Sequence, residues 1–150
     1  MHKFLIALAI AVLAVRPATA STKTDVMSVV HQWADGFNKG DVKSIAASCA
    51  DQTSVIDDFP PHEWHGAGAC SKWFGDFQTF AKAAEIAEPT IAIGKIWHID
   101  VTSEVAYVVA SAALTYQKKG NPAKLGATIT AILQKGAVAW HVTALTWSDL

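Results

Sequence analysis

The chain predicts an α+β fold, a group of helices followed by an antiparallel sheet, and three observations carry that expectation. Up to about Ala84 the apolar residues recur at steps of three and four, the helical period. From Thr90 onward the pattern changes to runs rich in Val, Ile, Thr and aromatic residues. Those runs are separated only by Thr102-Ser103-Glu104, Lys118-Lys119-Gly120-Asn121-Pro122 and Lys135-Gly136-Ala137, and connections this short join antiparallel neighbours.

The chain begins with an address. Met1-His2-Lys3 is a short basic start, Phe4 to Val15 is unbroken apolar, and Ala18-Thr19-Ala20 gives the small-x-small pattern that signal peptidases cut. A dozen apolar residues fall short of the roughly 20 needed to cross a bilayer. Residues 1–20 are therefore expected to be a signal peptide and residues 21–150 a single domain, periplasmic or secreted, with no membrane contact after cleavage.

In the first helix Val26, Val29, Val30, Trp33 and Phe37 form the apolar stripe. Gly40 is a stop and Asp41 a cap for a second helix with Val42, Ile45, Ala46 and Cys49 on its apolar face. A short strand, Thr53 to Asp57, precedes Pro60-Pro61, which suits neither helix nor ladder. The third helix carries Cys70, Trp73, Phe74, Phe77, Phe80 and Ala84 and ends before Pro89. Four strands follow, over residues 90–101, 105–117, 123–134 and 138–147. With Trp140 and Val142 turned toward the helices, alternation also turns the small Ala144 and Thr146 inward, joined by Ala127 and Ala131. Small side chains opposite Trp33, Trp73 and Phe77 leave a cavity.

Charge and cysteine usage narrow the function. Of the 12 basic residues, Lys3 and Arg16 fall in the leader, and none of the 13 acidic ones does, so the mature chain carries a net charge near −3. Arg16 is the only arginine, so the mature domain has no guanidinium fork for phosphate, and nucleic acid is not expected as a partner. Cys49 and Cys70 are disulfide candidates in an exported chain; the alternative is a pair of small buried apolar residues on facing helices.

The richest chemistry lies between Ser54 and Trp73. Asp57 and Asp58 end the strand, and His62, Glu63 and His65 follow across the Pro-Pro loop. Oxygen and imidazole groups are metal ligands in principle, but no recognised zinc spacing is present and no metal is expected.

The order of elements and several short motifs resemble the nuclear transport factor 2-like superfamily in its SnoaL-like, ketosteroid isomerase-like branch. The motifs are Phe37-Asn38-Lys39-Gly40-Asp41, Cys49-Ala50-Asp51 leading to Val55-Ile56-Asp57, Trp64-His65-Gly66 ahead of the third helix, and the closing Trp140-His141-Val142. The resemblance covers the whole mature chain. It implies a cystatin-like cone, three N-terminal helices packed in a curved antiparallel sheet, with an apolar pocket at its open end. Aligned with ketosteroid isomerase from Gln32 to Phe74, Asp57 falls on the general base. Trp33 stands where that family has its oxyanion-binding tyrosine, and Ile129 and Thr130 occupy the region of its second acid, so steroid isomerisation of the usual kind is not expected.

Two functions of different classes follow. One is an exported binding domain for a hydrophobic or aromatic small molecule, with Trp33, Asp57, His65, Trp73, Phe77 and His98 around the ligand. The other is a cofactor-independent isomerase, dehydratase or cyclase with Asp57 as catalytic base and Trp33 or His98 as donors. A homodimer through the outer sheet face, where Tyr107, Val109 and Ala113 lie, is compatible with both.

Overall fold

The computed structural model describes residues 18–150. The expected leader lies outside the described residues except for Ala18-Thr19-Ala20, which open the first helix, α1 (Ala18–Lys39). Its buried face is Val26, Met27, Val30, Trp33, Ala34 and Phe37, the stripe the period predicts. Gly40 takes a left-handed φ of 66°, which a residue without Cβ adopts freely, and ends the helix. Asp41 then caps α2 (Val42–Ser48), its carboxylate accepting from the backbone N–H of Lys43 and Ser44. The two helices pack closely because Gly36 has no side chain; a Cβ there would lie 2.9 Å from Ile45 Cγ1. Val42 and Ala46, expected on the buried face of α2, point outward, while Ile45 and Cys49 of that set are in the core.

The sheet has six strands in the order β2-β1-β6-β5-β4-β3, one more than the short strand and the four long ones expected. β1 (Cys49–Ile56) takes Cys49 out of α2 and into the sheet, and β2 (Glu63–Gly66) makes a strand of Trp64-His65-Gly66. β2 pairs antiparallel with β1, and β1 runs parallel to β6 (Trp140–Asp149). Between them α3 (Ala69–Ala83) crosses the concave side and buries Cys70, Trp73, Phe74, Phe77 and Ala81. β3 (Ile86–Val101), β4 (Val105–Lys118) and β5 (Asn121–Lys135) complete an antiparallel meander with β6. β3 starts before Pro89 because the ladder with β4 skips from Ala87 to Thr90, leaving the proline where no ladder donor is needed.

An irregularity in β6 reverses one expectation. The pairing with β5 shifts between Ile132 and Leu133, so Trp140 and Val142 face the helices, and beyond the shift Leu145 and Trp147 do. Ala144 and Thr146 turn to the outer face, while Ala127 and Ala131 face inward as expected. Cys49 and Cys70 are joined by a disulfide that ties the start of β1 to the first turn of α3.

Candidate functional site

Strand alternation along β1 turns Thr53 and Val55 inward and, one residue beyond its end, Asp57. Asp57 is only 8% exposed, and both of its oxygens are engaged. Trp73 Nε1 on α3 donates to Oδ2 at 2.8 Å, and the Asp58 backbone N–H donates to Oδ1 at 2.7 Å. The loop behind it closes through Asp57 N–H donating to the His62 carbonyl at 3.1 Å, and it folds Phe59 into the core. A buried carboxylate costs free energy in its charged form, so burial pushes the Asp57 carboxyl above the ordinary aspartate range, against the hydrogen bonds from Asp58 and Trp73.

Two further carboxyls stand beside it. Asp149, at the end of β6, accepts from Trp147 Nε1 at 2.9 Å and shares a hydrogen bond with the Asp58 side chain. Burial and that contact with Asp58 raise the Asp149 carboxyl to about 6, and burial raises Asp58 too. Two carboxyl groups in contact hold a proton between them more readily than either does alone.

These acids lie at one end of a cavity of about 280 Å³. The helical wall is Phe37, Trp73, Phe77 and Phe80, and the sheet supplies Ile91, Leu114, Tyr116, Leu125 and Trp147. The rings interlock, with centroids 4.9 Å apart for Phe37 and Phe77, 5.7 Å for Phe59 and Phe77, and 5.2 Å for Phe59 and Phe80. Asn38 fixes the rim at Phe37: its side-chain amide donates to the Ile91 carbonyl at 2.9 Å and accepts from the Ile91 N–H at 2.7 Å, like one rung of a ladder.

A family model for the SnoaL-like domain matches residues 26–148. This chain belongs to the SnoaL-like family. It therefore sits within the nuclear transport factor 2-like superfamily, and solved structures agree on the fold. A protein of unknown function from Mycobacterium tuberculosis superposes with a TM-score of 0.74 at 12% identity, covering 91% of this chain and 78% of that one. A nuclear transport factor 2-like protein with a cystatin-like fold from Novosphingobium aromaticivorans gives 0.74 at 9% identity, with 87% and 83% covered. A ketosteroid isomerase-like protein from Erwinia carotovora atroseptica gives 0.67 at 14% identity, with 85% and 95% covered. No curated protein matches the chain.

In this SnoaL-like domain the expected site residues divide. Asp57, Trp73 and Phe77 all line the cavity. Trp33 does not: it is fully buried behind Trp73, ring centroids 5.0 Å apart, and its Nε1 has no hydrogen-bond partner among the described residues. His65 is also displaced, because Trp64 takes the inward position on β2 and the next residue must face solvent. Its Nδ1 lies 2.9 Å from Ser54 Oγ and its Nε2 pairs with Glu63, an exposed cross-strand cluster outside the cavity. His98 lies opposite Val109 on the outer face, against the Tyr107 ring at 5.7 Å. Neither histidine can orient a ligand in this cavity.

Sequence reasoning missed Asp149 and Phe59; for Tyr116 and Trp147 it offers a cavity wall or a dimer face beside core packing, and both line the cavity. The signal for the pair on β6 was present in their spacing, since Leu145, Trp147 and Asp149 share one parity, but the shift in β6 conceals which parity faces in.

Proposed function

We propose that this domain binds a small apolar or aromatic molecule in the cavity between α3 and the sheet, with Asp57 orienting the ligand's polar end. The observation that carries this reading is a space of about 280 Å³ walled by aromatic rings with a nearly buried carboxylate at one end. An open apolar space is not needed for folding, since filling it would add packing contacts. The test is a thermal-shift screen of hydrophobic and aromatic compounds, joined to native mass spectrometry of protein taken from its own compartment. A ligand that raises the melting temperature in the intact domain and less in Phe77→Ala supports the reading. A flat response across the panel removes it.

A second reading is favoured by the carboxyls themselves. A base of raised proton affinity beside a carboxyl that titrates at about 6 suits cofactor-independent isomerisation, dehydration or cyclisation, with Asp57 as base and the Asp58–Asp149 pair as donor. Turnover that collapses in Asp57→Asn while the fold persists would establish it.

The same proposal includes export and self-association. The apolar N-terminal run and the bridged Cys49 and Cys70 support an oxidising compartment. On the outer sheet face the rows Tyr107–Ile132, Val109–Thr130 and Ser111–Thr128 carry no charge, which supports a second copy as its cover.

A further inference from the structure

The cavity gathers two features that are seldom combined without a ligand of matching charge. Asp57, Asp58 and Asp149 line one end of it, and aromatic and aliphatic side chains line most of the rest. Among the described residues no cation is paired with any of the three acids; the two ion pairs present join His65 to Glu63 and Lys119 to Glu85. Lys118, the single lysine in the lining, is exposed at the end of β4 and makes neither of these pairs. The other polar side chains in the lining are Trp73 of α3, Tyr116 and Lys118 of β4, and Trp147 of β6, and His62 lies behind Asp57 with its Nδ1 3.1 Å from the Asp57 carbonyl oxygen.

Resting on the reading that this cavity is a ligand site, we propose that it selects an organic cation, an ammonium head on an apolar body. The head sits among Asp57, Asp58 and Asp149, and the body lies between the rings of Phe37, Phe77 and Trp147. The chemistry follows from the lining. A carboxylate cluster attracts a cation and repels an anion. Aromatic faces add a cation–π attraction that a neutral head does not obtain. A ligand ammonium would also replace the proton that the Asp58–Asp149 contact otherwise retains, so binding at about pH 6 and below releases a proton.

Three probes of one shape separate charge from fit: phenylbutylamine, phenylbutanol and phenylbutyrate, titrated calorimetrically into the intact protein in two buffers of different ionisation enthalpy. The amine is expected to bind at least about tenfold more tightly than the alcohol, with the carboxylate weakest. Its affinity is expected to fall by at least about tenfold between about pH 7.5 and about pH 5, where the probe stays charged and the acids of the site take up protons. Asp149→Asn, at an exposed residue at the end of β6, is expected to weaken the amine several-fold more than the alcohol. An alcohol that binds as tightly as the amine, or an amine insensitive to pH and to Asp149→Asn, overturns the cation inference and leaves the apolar-ligand reading standing. Failure of all three probes overturns both.

Discussion

Asp149→Asn should make the protein more stable at neutral and alkaline pH, and the structure sets both the sign and the size. The carboxyl titrates at about 6 in the folded chain against an ordinary 3.8. A raised value means that the folded state holds the proton more tightly than the unfolded one. The associated stability is therefore fully present below 3.8 and is lost as the pH rises through 6. An amide copies the protonated carboxyl: its oxygen still accepts from Trp147 Nε1, and its N–H₂ donates to the Asp58 carboxylate. Taken without screening, two pH units correspond to ~3 kcal/mol. Asp149 is exposed, water screens it, and ~1 kcal/mol is the expected gain. For a domain of this size that raises the melting temperature by ~4 °C at about pH 8, with the two curves meeting near pH 4. Calorimetric scans of both proteins across this range make the measurement. An equal shift at both ends of the range, or a lower melting temperature at about pH 8, would refute the proton-sharing account.

Three other outcomes follow from single contacts. Replacing Cys49 and Cys70 by alanine opens a loop whose ends are 21 residues apart and should cost ~3 kcal/mol in urea unfolding, provided the unbridged chain is otherwise intact. Trp73→Phe removes the 2.8 Å donor from the Asp57 carboxylate, so a loss of ~2 kcal/mol is expected by the same assay, with the Asp57 carboxyl moving further upward. Asn38→Ala deletes both hydrogen bonds to Ile91 and should cost ~1 to 2 kcal/mol, with faster amide exchange at Ile91.

The helices were legible because their signals are local. The stripe from Val26 to Phe37, the stop at Gly40 and the cap at Asp41 each depend on residues within one or two turns. The long strands were legible for the same reason, to within a few residues at their ends. What the sequence concealed is set by distant partners. β2 has four residues and no apolar alternation of its own, and it is a strand because β1 offers it an edge. The shift in β6 turns Leu145 and Trp147 inward by pairing alone, and with them goes the position of Asp149. Asp57 could be located from the end of its strand, whereas the acids around it come together only when β1 and β6 lie side by side.

The acid cluster is the feature hardest to derive from folding. Each of the three carboxyls is held above its ordinary proton affinity, chiefly by burial, so above the acid range each lowers the stability of the fold. Elsewhere an indole and a carboxylate pair without a cavity: Asp76 accepts from Trp64 Nε1 at 2.7 Å and does not line this one. An apolar or amide side chain at Asp149 would remove the cost with little disturbance to β6, whose last residue it is. Departures from local stability of this kind concentrate where a protein meets a ligand. The unfavourable placement of charge around an open aromatic space therefore argues that the charge acts on a guest, and its sign favours a cationic one.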